Sequence, residues 1–434
     1  MLSIYIISLL TIVLMTLSFF LFPKIKIGKN YSIDTYWVVT LIGALLILLI
    51  NYSIAGDILS LFIENNSTNP FKIIVLFLSL TFISKFLDNV GLFNYLATRA
   101  SRIGKGNQFV IFTAFYFLIS LLTILTNNDI IIIVTPIMIY FAKAAKVKPL
   151  PYLIMVCFVL NTLSTTFLTT NVSNLYLASF FGITYFDYFL KLTPVSLILM
   201  VVLYLLLIII FHKDLKVKIE VEVEKEAIKN KFLLVIGLFS LSATTMLLIV
   251  SNLINIEMYL ITLLFALFDL IIAISYCFIK KEDKGYFIKP IKTLPYEFIP
   301  FLVSMFVIIS SLNQTPLLKD IGTLINSIES TELETLTYGL TSALSANLVN
   351  NVPMALLYGN ILNSGSLTSL DNVYSVILAS NLCALITPCG ALSSLMFMRI
   401  CKENRVEITY LDYLKFAPLG VILLFIGIGL IIVL

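Results

Sequence analysis

Charge is scarce in this sequence. Only 12% of the 434 residues are charged, whereas a typical soluble chain has about a quarter. Hydrophobic residues make up 60%, and the mean hydropathy is +1.04. A water-soluble fold is therefore excluded. Apolar runs such as Leu2 to Phe22, Leu192 to Phe211 and Ala417 to Leu434 approach or exceed the roughly 20 residues that cross a bilayer. The composition predicts an all-α integral membrane protein.

Histidine and paired cysteines are also lacking. The chain has one histidine, His212, and five cysteines with no C-x-x-C pair, so neither a zinc site nor a disulfide framework is indicated. No histidine, aspartate and nucleophile stand at a catalytic spacing, and no nucleic-acid-binding motif is present. We therefore expect neither an enzyme nor a nucleic-acid-binding protein, and no cofactor or bound metal.

The basic residues are grouped along the chain. Of the 28 lysines and arginines, 23 lie in six clusters: Lys24 to Lys29, Arg99 to Lys105, Lys143 to Lys148, Lys213 to Lys231, Lys280 to Lys292 and Arg399 to Arg405. Cytoplasmic segments of membrane proteins carry an excess of basic residues, and the remaining connections here are acidic or neutral. The pattern predicts a multi-pass protein of the plasma membrane with both termini outside the cytoplasm.

Two short motifs recur at nearly the same spacing. Leu125-Thr126-Asn127-Asn128 recurs as Leu348-Val349-Asn350-Asn351, which places Asn127 and Asn350 223 residues apart. Tyr185-Phe186-Asp187-Tyr188 recurs as Tyr410-Leu411-Asp412-Tyr413, 225 residues later. A constant offset indicates internal duplication. Because the flanks of the first Asn-Asn motif are basic and those of the second are not, we expect the repeats to be inverted in the membrane.

The duplication divides the chain into five parts. Residues 1–70 are predicted to be N-terminal transmembrane helices, 71–212 the first repeat, 213–231 a cytoplasmic loop, 232–294 linking transmembrane helices and 295–434 the second repeat. Within each repeat a hairpin, 108–142 or 333–364, precedes a helix broken by polar or helix-breaking residues, 150–181 or 373–400. The expected fold has about ten transmembrane helices, two re-entrant hairpins and two inverted repeats with discontinuous helices.

The polar turn of the first hairpin, Asn127 to Asp129, fits two arrangements. It forms either a re-entrant tip at membrane depth or an external turn between two full spans, because the basic flanks agree with both. Non-helical backbone at membrane depth is tolerated only where it is buried in protein or lines a wet cavity. A re-entrant tip would therefore itself mark a site.

Interrupted helices at corresponding places of an inverted repeat indicate a transporter's binding site near the midplane. Single polar residues more often join helices in a membrane bundle, but here they recur at the breaks and hairpin turns of both halves. Their amides, hydroxyls and free backbone groups can bind a polar solute. The predicted substrate-binding residues are Asn127, Asn128, Thr169, Thr170, Asn171, Asn350, Asn351, Asn381, Thr387 and Gly390.

Several segments follow a known pattern in their order and spacing. They are Phe86-Leu87-Asp88-Asn89-Val90-Gly91-Leu92-Phe93, Asn128-Asp129 with Thr135-Pro136-Ile137, Phe180-Phe181-Gly182-Ile183, Asn347-Leu348-Val349-Asn350-Asn351-Val352-Pro353-Met354 and Thr387-Pro388-Cys389-Gly390-Ala391-Leu392. The chain thereby resembles the arsenite/antimonite efflux permease (ArsB) family of the ion transporter superfamily. The resemblance implies a secondary active transporter that exports arsenite or antimonite, driven by protons. Asn161 stands where those permeases tend to carry an aspartate.

Asp129 is the predicted proton-coupling residue. Proton-driven export of a neutral solute needs a titratable group that both sides of the membrane reach in turn, and carboxylates at membrane depth usually mark such pathways. The alternative for Asp129 is a cap on the helix that follows it, since aspartate favours helix N-termini.

Other functions and partners stay open. A sodium/proton antiporter or a sodium-coupled carboxylate or anion transporter of the same superfamily is the main alternative. A passive channel or a non-transporting scaffold is disfavoured by the paired broken helices. A soluble ATPase, as in some arsenite systems, could dock on the loop from Lys213 to Lys231, and two copies could form a homodimer.

Overall fold

Apolar segments of this length satisfy their backbone hydrogen bonds in a bilayer only as helices or closed barrels. A computed structural model of the chain describes residues 2–22, 24–27, 31–64, 69–103, 106–126, 130–216, 228–251, 254–364, 369–406 and 408–434. These residues are predominantly α-helical, which confirms the predicted all-α membrane fold. The exception among them is a small antiparallel β-hairpin, in which Lys24 pairs with Asp34.

The elements follow one another through two similar halves. Up to the end of the first repeat they are α1 (Leu2–Leu21), β1 (Lys24–Ile27), β2 (Tyr31–Asp34), α2 (Thr35–Ile50), α3 (Tyr52–Ile63), α4 (Pro70–Asn89), α5 (Leu92–Ile103), α6 (Gln108–Leu125), α7 (Ile131–Ala144), α8 (Leu150–Leu163), α9 (Val172–Phe180) and α10 (Tyr185–Phe211). Two linking helices and a short one follow, α11 (Lys231–Ile249), α12 (Met258–Lys280) and α13 (Gly285–Lys292).

The second half completes the chain. Its helices are α14 (Phe298–Asn313), α15 (Pro316–Asn326), α16 (Thr331–Val349), α17 (Asn351–Asn363), α18 (Leu370–Ile386), α19 (Leu392–Glu403), α20 (Tyr410–Leu414) and α21 (Ala417–Val433). Single 3₁₀ turns lie at Leu168–Thr170, Asp214–Lys216 and Pro388–Gly390. The order of α4 to α10, a helix pair, a hairpin, a broken helix and a long helix, is thus repeated from α14 to α21.

Helix length separates the candidate spans from shorter elements. Within the described residues, α4, α10, α11, α12 and the stretch Tyr410–Val433 are each long and apolar enough to cross a bilayer. Helices α14 and α15 reach that length only as a pair, bent by 74°. The apolar arms of the first hairpin and the first halves of both broken helices are shorter. The count of about ten transmembrane helices stays a prediction.

The two broken segments run antiparallel where they cross. Asn161 in α8 contacts Ser394 in α19, whereas Asn174 in α9 contacts Asn381 in α18. Residue numbers therefore rise along one segment as they fall along the other. The first half of each broken helix lies beside the second half of the other, which is the packing that two inverted repeats produce.

The polar ends of the helices meet in two groups. One group joins Asp34 to Arg399 (3.1 Å), Lys148 to Asp214 (2.8 Å) and Lys143 to the Asn404 carbonyl (2.9 Å). The other joins Lys72 to Glu257 and Lys191 to Asp371 (2.7 Å). The first group links segments expected in the cytoplasm, and the second links segments expected outside. The packing and the charge alternation therefore agree, while the direction of insertion stays a prediction.

An aromatic cluster holds the first hairpin against the first broken helix. The Phe115 and Phe141 rings, one on each hairpin arm, lie 4.9 Å apart edge to face. Tyr152 of α8 packs on Phe141 at 5.2 Å and on Phe112 at 5.6 Å. Such aromatic pairs add about 0.5–1.5 kcal/mol each beyond their buried area. The hairpin is thus packed on the beginning of α8, before the break that follows this helix.

Candidate functional site

The first break is stabilised by side chains that bond the carbonyls freed where α8 ends. The last carbonyls of a helix have no partner within it. Asn174 Nδ2 donates to the Ser164 carbonyl (2.7 Å), and Thr170 Oγ1 donates to the carbonyls of Ser164 and Phe167 (2.6 Å to the latter). Asn171 then caps α9, since its Oδ1 accepts from the Ser173 amide (3.3 Å). The crowded asparagines and threonines thus allow the helix to stop and restart.

The second break is produced by proline and glycine. Pro388 has no amide proton to continue α18. Gly390 lies so close to that helix that a Cβ there would be 2.6 Å from the carbonyl carbon and oxygen of Cys383 and 2.8 Å from the Ala384 nitrogen. These are backbone atoms, which cannot rotate away. The turn from Thr387 to Ala391 therefore needs a glycine at this place.

Asn381 connects the two broken segments. Its side chain is fully buried; Oδ1 accepts from Asn171 Nδ2 (2.7 Å), and Nδ2 donates to Asn174 Oδ1 (2.7 Å) and to the Ile377 carbonyl (2.9 Å). One amide of α18 thus bonds two amides in the first turn of α9. All three residues are at least nine-tenths buried, so water cannot bond their side-chain amides. The hydrogen bonds between them therefore satisfy groups that would otherwise be costly to bury.

Asn161 makes the corresponding connection from the other repeat. Its Nδ2 donates to Ser394 Oγ (3.1 Å) and to the Cys157 carbonyl (2.8 Å), and its Oδ1 accepts from Ser393 Oγ (3.0 Å). Asn161 and Asn381 are 220 residues apart, and the starts of α9 and α19 have the same offset. Each asparagine therefore holds the first turn of the opposite half-helix.

The tip of the second hairpin lies against the second break. Asn350, between α16 and α17, has a positive φ of 77° and is 2% exposed. Its Nδ2 donates to the Cys389 carbonyl (3.2 Å), and its Oδ1 has no protein partner. Thr387 Oγ1 donates to Asn347 Oδ1 (2.6 Å). This turn is therefore buried in protein, as expected of a re-entrant hairpin.

The duplicated tyrosine motif supports both breaks. Tyr188 Oη donates to the Thr165 carbonyl (2.9 Å), just beyond α8. Tyr413 Oη donates to the Ala384 carbonyl (2.6 Å), near the end of α18, and lies 3.2 Å from Cys157 Sγ. Both tyrosines are fully buried. In each repeat the tyrosine motif, at the start of α10 or in α20, thus bonds a carbonyl of the broken helix of the same repeat.

We expect Tyr188→Phe and Tyr413→Phe each to destabilise the folded protein by about 1–3 kcal/mol, because each leaves a buried carbonyl without its donor. Thermal unfolding of the purified protein should show a lowered midpoint for both. Tyr140→Phe, at a tyrosine that is 58% exposed, is the matched control and should leave the midpoint unchanged. Equal midpoints for all three variants would show that the two hydroxyls do not support the breaks.

The structure places five of the predicted site residues in two groups. Asn171 bonds Asn381 directly, while Asn350, Thr387 and Gly390 gather at the second break. Thr170 lies in the first break. Within the described part of the chain, Thr169 and Asn351 form no hydrogen bond to the other predicted residues. Asn127, Asn128 and Asp129 lie outside the described residues. The role of the whole set in transport stays a prediction.

Four residues of the crossing were missing from the predicted set: Asn161, Asn174, Ser393 and Ser394. Asn161 stands out in the sequence as a departure from a family pattern. The signal that could have found it is the 220-residue offset to Asn381, which differs slightly from that of the hairpins. The serines belong to no sequence motif. They lie beside Asn161 only because of the register in which the two broken segments cross.

The crossing itself is uncharged. The sequence has no charged residue between Lys148 and Asp187, nor between Asp371 and Arg399. Over the ranges that the structure covers, no group of three or more histidines, cysteines, aspartates or glutamates could hold a metal ion. The breaks offer amides, hydroxyls and backbone groups that can bind an uncharged polar solute. The half-helix ends add the weak partial charges of their dipoles.

Comparison with known proteins places these features among transporters. The sequence model of a family described as citrate transporter (CitMHS) matches residues 2–370. The arsenical pump membrane protein of Escherichia coli K12 is 25% identical over 405 residues, which cover 87% of this chain and 88% of that protein. The arsenical pump membrane protein of Yersinia enterocolitica is 23% identical over 356 residues, which cover 78% and 80%.

Proposed function

The chain belongs to the citrate transporter family, and we propose that within this family it exports arsenite and antimonite across the plasma membrane in exchange for protons. Its relatives are transporters, and its helices are those of a multi-pass membrane protein. It is therefore a transporter of the ion transporter superfamily. The proposal concerns the solute and the coupling ion.

The uncharged crossing of the broken helices supports the choice of solute. Arsenous acid is a neutral trihydroxide at neutral pH, so it needs hydrogen-bond donors and acceptors rather than a countercharge. Asn381, bonded to Asn171, and Asn161, bonded to the serines at the start of α19, carry such groups in a buried interior, and a solute would bind there by replacing these hydrogen bonds. A buried site that bonds hydroxyl groups also discriminates strongly against solutes that lack them. The arsenical pump relatives add weight to this choice.

Asp129 remains the proposed proton carrier. Its assignment rests on the sequence alone, since this residue lies outside the described ones. It directly follows the first Asn-Asn motif, and Asn350 of the corresponding motif in the second repeat contacts a helix break. A carboxyl group that gains and loses a proton on alternate sides would link the two fluxes.

A carboxylate such as citrate is the second candidate solute, favoured by the description of the matching family. A multiply charged anion would normally meet a basic side chain in its site. The basic residue that borders the second broken segment is Arg399, and its charge is engaged elsewhere: Nη1 contacts Asp34 at 3.1 Å and Nε contacts Glu403 at 3.0 Å. Citrate would have to bind through half-helix ends alone.

Everted membrane vesicles provide the test. With an acid interior imposed, vesicles containing the protein should accumulate arsenite and antimonite, whereas citrate and sodium should stay at the level of vesicles without it. Asp129→Asn should abolish this uphill uptake, because the side chain no longer carries a proton, and should leave downhill arsenite exchange measurable.

Asp320→Asn, at an exposed carboxylate on α15, is the control and should accumulate arsenite like the unmodified protein. Uptake of citrate or sodium in place of arsenite would replace the proposal with the corresponding alternative. Uphill arsenite uptake that persists in Asp129→Asn would leave the solute standing and overturn the coupling.

The proposal also includes the predicted orientation of the termini, an ATPase subunit and a homodimer. Both termini are proposed to lie outside the cytoplasm. An ATPase subunit would dock on the loop from Lys213 to Lys231, which the structure describes only up to 216 and from 228. Assembly as a homodimer is likewise part of the proposal.

A further inference from the structure

A basic surface lies at one end of the linking helices, away from the crossing. It is formed by the start of α11, the end of α12 and the short helix α13. Its lysines are Lys229, Lys231, Lys280, Lys281, Lys284, Lys289 and Lys292, all of them exposed. In the parts of the chain that the structure describes, none of the seven has a carboxylate within 4.0 Å.

The lysines belong to one continuous patch because the end of α4 joins the segments that carry them. The Lys229 amide donates to the Val90 carbonyl (3.0 Å), and Asn89 Nδ2 donates to the Gly285 carbonyl (2.9 Å). The start of α11 and the start of α13 are thereby attached to the same turn. A ligand that approaches this end meets all three segments together.

The acidic residues that the structure describes near the patch do not neutralise it. Glu282 and Asp283 lie between α12 and α13, and Asp283 Oδ1 is engaged by the Gly285 amide (2.9 Å) as a local cap. Asp88 at the end of α4 is only half-buried and acts on Lys229 at longer range. Among the described residues, seven lysines against these three carboxylates leave a positive surface.

Exposed apolar side chains place the patch at the membrane interface. Phe278 and Ile279, at the end of α12, are 64% and 78% exposed, and Phe232, at the start of α11, is 52% exposed. Phe232 stacks on Tyr276 with ring centroids 5.5 Å apart. Tyrosine residues near the ends of spanning helices, such as Tyr276 here, mark the headgroup level of a bilayer. Lys284 Nζ lies 5.6 Å from the centre of the Phe278 ring, so the charges begin where the apolar surface ends.

We propose that this basic surface binds anionic phospholipid headgroups of the adjoining leaflet, of the phosphatidylglycerol kind. Lysine clusters directly beyond a spanning helix attract anionic lipids, each lysine strengthening binding roughly fivefold. A soluble acidic protein could meet the lysines but would leave Phe278 and Ile279 without an apolar partner. A lipid supplies both its phosphate to the lysines and its acyl chains to these side chains.

The test compares variants with the same change of charge at different places. The protein is purified with equal amounts of phosphatidylglycerol and phosphatidylcholine, and retained lipid is counted by native mass spectrometry. We expect phosphatidylglycerol to be retained over phosphatidylcholine. The triple variant Lys284→Gln, Lys289→Gln, Lys292→Gln should bind it at least about tenfold more weakly. The control Lys146→Gln, Lys213→Gln, Lys216→Gln removes three exposed lysines elsewhere and should bind it normally.

A second triple variant with arginine at positions 284, 289 and 292 keeps the charge and should retain the lipid, which separates lost binding from lost folding. Retention should also fall as salt is raised, because exposed charges are screened. Equal lipid retention in the glutamine variant and the control would overturn the proposal, and so would a lack of preference for phosphatidylglycerol in the unmodified protein.

Discussion

Replacing Gly390 with alanine is expected to reduce transport by more than about tenfold, because small displacements of a binding group cost large factors in rate. An alanine Cβ would lie 2.6 Å from the Cys383 carbonyl group, closer than real Cβ contacts come. The atoms it meets are backbone, so the 3₁₀ turn Pro388–Gly390 has to move away from α18. That movement would also displace the Cys389 carbonyl that Asn350 bonds.

The variant is best measured as arsenite uptake in everted vesicles, normalised to the amount of protein in the membrane. Gly429→Ala in α21 is the matched control, because a Cβ there meets no atom within 4 Å. It should transport at the unmodified rate. Normal uptake by Gly390→Ala would mean that the close contact is not needed for the transport cycle.

Asn381→Ala is expected to impair transport as severely. Its removal leaves the buried Asn171 Nδ2 and Asn174 Oδ1 without their Asn381 partners. Each orphaned group costs about 1–3 kcal/mol, and the crossing loses the contact that holds α18 beside α9. We therefore expect uptake near background together with a lowered unfolding midpoint.

Asn360→Ala is the control for Asn381→Ala, since within the described residues the Asn360 side-chain amide bonds only the Leu356 carbonyl of its own helix (3.0 Å). It should have little effect. A double-mutant cycle with Asn174→Ala sharpens the test, because residues that share a hydrogen bond show interaction energies of about 0.5–3 kcal/mol. Additive losses for the Asn381 and Asn174 variants would show that the cross-repeat bond carries no weight.

Much of the fold could be predicted because membrane helices follow from local composition. The apolar runs predict the helices, Pro388 and Gly390 predict a break, and the Asn-Asn and tyrosine motifs indicate the duplication. The β-hairpin was missed, although Lys24-Ile25-Lys26-Ile27 alternates polar and apolar residues as a strand does. In the sequence, the charge of this cluster masks the strand pattern.

The site was predicted less completely because it depends on how two distant segments cross. Polar residues at each break could be recognised from the sequence, but the pairing of Asn161 with Ser393 and Ser394 depends on the register of α8 against α19. No local pattern encodes that register. Asn171 and Asn381 are both predictable site residues because they lie near breaks, and only the fold shows that they bond each other.

The antiparallel crossing also has a consequence for biosynthesis. Asn174 is made 207 residues before Asn381, its partner across the crossing. At about 5–20 residues per second, the first repeat waits on the order of ten seconds or more for the second. During that interval the first broken helix lies in the bilayer with amides that have no cross-repeat partner. The proposed transport site is therefore completed only after most of the chain has left the ribosome, and a chain that stops after the first repeat carries half of it.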